Sequence, residues 1–236
     1  MKLEFYNKVL LANIYFIHGY YKSGLQLTSD SLLACGAKTI ECSSHSIKSI
    51  NPSGKEIDQN DLSPLLSAIQ ENKSEPLFVL CNVSPQFWQK IELPDHTIHH
   101  VVVYRPLEQI VDSITRQRIK DIYLSKKAFG RIIAIRKFQK SLPNLQLSIK
   151  SDFITFYKTI IENSVQSTTR LSIIHSIHFM NSIQIFIESV NKFTSSNLSI
   201  TKLKGHFEEE RFIQHKAIEL YRDKELMEIH EFFKKD

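Results

Sequence analysis

The sequence predicts an α/β protein, a three-layer parallel sheet with a helical C-terminal portion, on three observations. Three short runs, Val9 to Ile17, Pro76 to Asn82 and Ile98 to Tyr104, are apolar almost throughout rather than alternating, as strands are when both faces of a sheet are covered. Helix-forming stretches separate them, and strand–helix alternation at this spacing argues for parallel strands joined by crossovers. Beyond about Ser148 the apolar residues step by three or four, which is helical periodicity.

Val9 to Ile17 reads as the first strand, ended by a glycine. Ser23 to Cys35 follows as a helix, with Gly36 placed as its C-terminal stop. Thr39 to Cys42 is a second, short strand, and residues 51–60, with Pro, Ser, Gly and Asp, read as a loop. Ser63 and Pro64 start a helix to about Asn72, because Pro at the first helical position gives up no needed hydrogen bond. Pro76 to Asn82 is the third strand, Ser84 and Pro85 open another short helix, and Ile98 to Tyr104 is the fourth strand. Leu107, Ile110, Val111 and Ile114 then carry a helical stripe. Farther on, Ile173, Ile177, Met180, Ile183, Ile187, Val190 and Phe193 spell one long amphipathic helix. Leu198 to Leu203 is a candidate further strand, and Phe207 to Phe233 a charged amphipathic helix. The expected division is a core of residues 1–148 and a mostly helical region of residues 149–236, separate or packed on the core as one domain.

Composition narrows the function classes. The chain has 236 residues, 42% of them hydrophobic, enough for one full core and too evenly apolar for a disordered segment. No run of about twenty apolar residues predicts a membrane span. Val9 to Ile17 is interrupted by Asn13 and runs into a turn, so it is not read as a signal peptide, and the expected location is cytoplasmic. Cys35, Cys42 and Cys81 are odd in number and not closely paired, which suits reduced residues rather than a disulfide framework or zinc knuckle. The net charge of +5 is uneven: residues 105–140 hold ten Lys and Arg against three acids. Such a block attracts phosphate, nucleic acid or an anionic surface, or is simply a solvated helix face.

Residues 14–24 form a strand, a turn bounded by Gly19 and Gly24, and a helix. Glycines let backbone amides turn inward, and the first amides of the helix lack intrahelical acceptors, so the turn suits an anion such as phosphate. An ordinary βα turn has the same composition. The turn resembles the P-loop superfamily, whose Walker A pattern is Gly, four residues, Gly, Lys and Ser or Thr. Gly19 and Gly24 have that separation, while Leu25 and Gln26 stand where the Lys and the hydroxyl belong. The resemblance implies a P-loop-type fold with a degenerate Walker A site, missing a cation at the terminal phosphates and a magnesium ligand. Asn82 likewise stands where a Walker B Asp belongs. Lys22, Ser23 and Gly24 are similar to the phosphosulfate loop of sulfotransferases, a Pro-Lys-Ser-Gly-Thr-Thr-type turn, from which Tyr21, Leu25 and Gln26 depart.

Arg105, at the end of the fourth strand, is expected to face the ligand crevice of such a sheet. In sulfotransferases an Arg and a Ser at the spacing of Arg105 and Ser113, flanking a Pro, bind the donor's 3′-phosphate; here Arg105 and Pro106 are adjacent. The same stretch resembles P-loop kinases similar to chloramphenicol phosphotransferase. Their fourth strand ends in a segment matched by Pro106, Leu107 and Glu108, and Arg116 and Arg118 would be lid arginines stabilising transferred charge. Either resemblance covers about residues 10 to 120.

These readings imply a nucleotide donor, adenosine 3′-phosphate 5′-phosphosulfate or ATP, bound by Gly19, Lys22, Ser23, Gly24, Arg105, Ser113, Arg116 and Arg118, with an unnamed acceptor. Lys22 and His18 are the candidate catalytic residues; His18, at the strand end, is a base or a hydrogen-bonded structural histidine. No metal site is expected, since neither His96, His99 and His100 nor His175 and His178 come with further ligands. Three functions remain open: a sulfuryl or phosphoryl transferase; a catalytically inactive relative that binds a protein partner; and a basic module binding RNA or a membrane through residues 105–140.

Overall fold

The computed structural model describes residues 13–42, 47–49, 56–57, 67, 76–81, 97–167, 171–194, 196–201 and 223–234. Among the described residues, seven strands form one sheet: β1 (Asn13–Gly19), β2 (Lys38–Cys42), β3 (Ile47–Ser49), β4 (Glu56–Ile57), β5 (Leu77–Cys81), β6 (Thr97–Tyr104) and β7 (Leu171–His175), in the spatial order β4-β3-β2-β5-β1-β6-β7. β2, β5, β1, β6 and β7 run parallel, and β3 and β4 add an antiparallel edge. The chain leaves β1 toward β2 and β5 on one side and crosses to β6 on the other. The C-terminal ends of β1 and β6 therefore border the point where strand order reverses, which is where ligand crevices open in such sheets.

The described helices are α1 (Leu25–Ala34), α2 (Leu107–Ser125), α3 (Ala128–Ser167), α4 (Phe179–Thr194) and α5 (Lys224–Lys234). Strand side chains alternate between faces. Tyr15 and Ile17 of β1 and Val101 and Val103 of β6 point to a layer made by α1 and α4, where they meet Leu25, Leu32, Phe186 and Ile187. Val102 and Tyr104 point to the opposite layer, against Leu107 and Ile110 of α2, Phe153 and Tyr157 of α3, and Phe233 of α5. Both faces are buried, which is why these strands read as continuous apolar runs. α5 is fastened to α3 from outside by ion pairs of Lys150 with Asp223 and Lys158 with Glu225.

Several sequence expectations shift here. The first strand is described from Asn13, and it runs on to Gly19. The helix expected at Ser23 begins at Leu25, and Gly36, at φ 89°, follows its end. The third and fourth expected strands are β5 and β6, because the short β3 and β4 precede them. The single helix expected across Ile173 to Phe193 is a strand followed by a helix: Leu171–His175 pairs in parallel with β6 and the helix starts at Phe179. The β-branched pair Ile173 and Ile174 fits a strand covered on both faces, and pairing with β6 overrides the helical spacing. Leu198 to Leu203 is not a strand over its described part. The Asn191 side chain bonds both the N–H and C=O of Leu198, and Ser199 N–H donates to the Cys35 carbonyl, so these groups are taken. Residue 148 falls inside α3, which continues unbroken to Ser167. The helices expected at Ser84 and at Ser63 to Asn72, apart from helical Ser67, lie outside the described residues, as do residues 207–222. Cys35 and Cys81 are buried. Among the described residues, no helix is long and apolar enough to cross a membrane.

Phe16 and His18 of β1 face the α2–α3 layer and stack on His100 of β6. His18 Nε2 lies 3.0 Å from His100 Nδ1. Both rings are almost completely buried, and burial holds both imidazoles well below their ordinary 6.5. In the unfolded chain each takes up a proton near pH 6.5; in the fold each stays neutral to much lower pH. Below 6.5 the unfolded state therefore binds more protons, so this stability is complete above 6.5 and is lost on acidification. Urea unfolding at pH 7.5 and 5.5 should show a loss of about 1.4 kcal/mol per histidine over that interval, and His100→Phe should show a smaller pH dependence than the wild type.

Candidate functional site

Residues 20–24 connect the central strand β1 to α1, at the reversal point of the sheet. Ser23 N–H donates to the Tyr20 carbonyl at 2.9 Å and closes the turn. Gly24 has φ 110°, and Lys22, at φ 63°, is the one non-glycine among the described residues with a positive φ. A left-handed residue in a turn rotates its neighbouring amides inward, which is how backbone makes an anion-binding concavity. Gly19 makes room for this shape. A Cβ there would lie 2.6 Å from Ser23 Oγ and 3.2 Å from Leu25 Cβ. Ser23 thus folds back beneath the turn, where its hydroxyl is buried and has no hydrogen-bond partner among the described residues. Buried hydroxyls nearly always have one. Gly24 is the N-cap of α1 and there is no side-chain cap, so the first amides of the helix keep their donors and partial positive charge directed at the turn.

Arg105, just past the end of β6, reaches this turn. Its Nη1 donates to the Lys22 carbonyl at 3.0 Å, joining residues 83 apart in sequence, and its Nε donates to Gln109 Oε1 at 3.4 Å. The guanidinium is half-buried. Desolvation lowers its pKa and the Arg116 charge adds to that, while Asp112 opposes it; an arginine so placed remains a cation. A fork with five donors keeps further N–H groups beyond these two bonds. Lys22 is half-buried, with Nζ 5.4 Å from the centre of the exposed Tyr21 ring.

The other expected residues are placed differently. Ser113 is half-buried in the second turn of α2. Arg116 is exposed and paired with Asp112 at 2.9 Å, and Arg118 is exposed on the same helix. His18 lies one residue before Gly19, but it is enclosed against His100 rather than open to the turn. Leu25, at the Walker A lysine position, is buried in the core, and Gln26, at the hydroxyl position, bonds Asp30 along the outside of α1. Among the described residues, no group of three or more His, Cys, Asp or Glu could hold a metal ion. Two described clefts, of about 650 and 610 Å³, lie elsewhere: one between α3 and α5, the other beside Tyr15, His99 and Phe193.

One residue that organises the site had no sequence signal. Tyr157 of α3 is fully buried, and its hydroxyl donates to the Val103 carbonyl at 3.1 Å. The backbones of Tyr20 and Arg105 lie near the same oxygen. The phenol therefore fastens α3 to the end of β6, close to the start of the turn. Burial raises its pKa above the ordinary tyrosine value, with the nearby Tyr104 adding to this and the backbones of Tyr20 and Arg105 opposing it. The stripe Phe153, Phe156, Tyr157 is visible as an apolar helix face. The hydroxyl's partner is on another element and is not.

No protein-family model matches the chain, and no curated protein matches it. Among solved structures it is similar to the sulfotransferase domain from the Synechococcus PCC 7002 olefin synthase, with a TM-score of 0.54 and 12% identity over 98% of this chain and 97% of that one. At that identity the likeness shows the fold: a P-loop-type α/β sheet with a helical C-terminal part.

Replacing Tyr157 with Phe removes the donor to the Val103 carbonyl and should destabilise the protein by about 0.5–1.5 kcal/mol, the net worth of one hydrogen bond, measured by urea unfolding. At position 22 the left-handed backbone gives a second expectation. Lys22→Gly should be more stable than Lys22→Ala by about 1 kcal/mol, because only glycine adopts that conformation without a Cβ penalty.

Proposed function

We propose that the chain is a P-loop-fold group transferase that holds a nucleotide donor by its phosphates at the turn between Gly19 and Gly24, and that the group it moves is sulfuryl. The observation that carries this reading is the bond from Arg105 to the Lys22 carbonyl. It brings together the two stretches that separately resemble a sulfotransferase's donor site. In this reading the uncapped amides of α1 receive phosphate oxygens, and Ser23 shapes the turn from beneath. Lys22 neutralises charge building on the leaving oxygen as the sulfuryl group departs, the electrostatic role such donors fill in group transfer. Arg105, with Ser113, holds the 3′-phosphate of adenosine 3′-phosphate 5′-phosphosulfate.

Position 25 favours sulfuryl over phosphoryl transfer. A P-loop kinase places its lysine there, and in this chain Leu25 is locked into the core. Gln26 offers a neutral amide where a kinase offers a magnesium-binding hydroxyl, a poor partner for a hard divalent cation. Arg116 and Arg118 remain the candidates for a kinase-type lid, but Arg116 is paired with Asp112 on the exposed side of α2. His18 serves in this reading as a core support rather than a base, since burial keeps it from accepting a proton near neutral pH.

Titration calorimetry with adenosine 3′-phosphate 5′-phosphosulfate, adenosine 3′,5′-bisphosphate and ATP tests this. Binding of the first two should persist in EDTA and weaken as salt rises, since the contacts are ionic. Lys22→Ala and Arg105→Ala should each weaken it by about 1.5–3 kcal/mol, the range for hydrogen bonds to charged groups. Arg105→Lys should recover only part of that, because lysine keeps the charge and loses the fork. Binding that requires magnesium and ignores both positions would place the site elsewhere. Absence of binding by any of the three would favour a catalytically inactive fold that works through a protein partner.

A further inference from the structure

The ends of α2 and α3 that meet between Ser125 and Ala128 form a helical hairpin whose surface the donor site does not use. Residues 116–140 hold nine Lys and Arg against Asp121 alone. Large apolar side chains stand exposed among them, and the two most exposed, Leu124 and Phe129 at 77% each, flank the connecting Lys126 and Lys127. The arrangement follows helix geometry. On α2, Arg116, Ile119, Lys120 and Tyr123 recur at steps of three and four; on α3, Phe129, Ile132, Ile133, Arg136 and Lys140 do the same. On α3 the apolar members lie toward the tip with cations behind them, whereas on α2 Lys120 lies between Ile119 and Tyr123, and Lys126 and Lys127 form the tip itself. The tip is also held in shape: Arg131 Nε donates to the Lys126 carbonyl at 2.7 Å, and its guanidinium lies 5.4 Å from the Tyr123 ring.

We propose that this hairpin docks the protein on an anionic lipid surface, with Leu124 and Phe129 entering the acyl boundary and the flanking cations meeting the headgroups. The chemistry selects this partner. Exposed apolar side chains interspersed with lysines and arginines, whose long stems let their charges reach the headgroups, suit both layers of a bilayer interface, apolar inside and anionic outside, and the two attractions add. A second copy of the chain would bring one strongly positive hairpin against another. A nucleic acid would satisfy the cations but would give the aliphatic Leu124, Ile132 and Ile133 nothing to do, since single strands are held by charge and by aromatic stacking.

The test is flotation of the full chain with phosphatidylcholine vesicles and with vesicles in which about a third of the lipid is phosphatidylserine. The protein should float with the anionic vesicles and not with the neutral ones. Its partition should fall at least about tenfold in Leu124→Ser/Phe129→Ser, in Lys126→Glu/Lys127→Glu, and at high salt, as expected when buried apolar area and charge both contribute. All four side chains are exposed, so thermal melting of both variants should match the wild type. Equal retention on neutral vesicles, no retention on either kind, or wild-type retention by the Leu124/Phe129 variant would each overturn the proposal. So would an added single-stranded RNA oligonucleotide that binds the wild type and the Leu124/Phe129 variant alike and displaces the vesicles.

Discussion

The buried hydroxyl of Tyr157 is the interaction on which the candidate site depends. At the C-terminal edge of a parallel sheet the ladder ends, and the backbone groups just beyond it need partners that the sheet cannot supply. Here the carbonyl of Val103 is bonded by a phenol that also lies near the backbones of Tyr20 and Arg105. Burial keeps that phenol protonated, so it donates. Its position is fixed in turn by packing: Tyr157 contacts Phe153, Tyr104 and Phe233 ring to ring, and Tyr20 packs on Phe153 and Phe156. The layer made by α3 and α5 thus sets where the turn begins and where Arg105 leaves the sheet. The helical C-terminal half holds the site that the N-terminal half supplies.

The turn itself carries unfavourable features in one place. A left-handed lysine costs about 1–2 kcal/mol, and a buried hydroxyl without a partner about 1–3 kcal/mol, against a total stability near 5–15 kcal/mol for a typical domain. A turn selected only to connect β1 to α1 would relax both, by a glycine at position 22 or an alanine at 23. Their persistence beside uncapped helix amides and a half-buried arginine supports a turn shaped for a ligand oxygen, since strain of this kind collects where geometry serves binding.

What could be read in the sequence was local. β1, the turn and α1 were legible because the glycines, the apolar run and the helix start are neighbours in the chain. The end of β6 was legible because an apolar run stops at Arg105 and Pro106. The failures were all decided by distant partners. Leu171–His175 shares helical spacing with the residues after it, and only pairing with β6 makes it a strand. β3 and β4 are three and two residues long and have no apolar signature of their own. α3 spans 40 residues and includes Pro143, so no single periodic window reveals its length. The roles of Lys22 and Arg105 as a pair were suggested by resemblance; their contact across 83 residues, and Tyr157 beneath it, belong to the packed fold.

The basic block from residue 105 to 140 is a single feature in the sequence and two in space. α2 has 19 residues, and at 1.5 Å per residue it separates its ends by about 28 Å. Arg105, at the N-terminal end, is bonded to the turn; Lys126 and Lys127 lie beyond the C-terminal end. No single nucleotide reaches both. Charge at the two ends must therefore be explained separately: at Arg105 by the half-buried contact with the loop, and at the tip by the exposed apolar side chains mixed with it. A solvated helix face explains neither, because it would bury no arginine at one end and display no phenylalanine at the other.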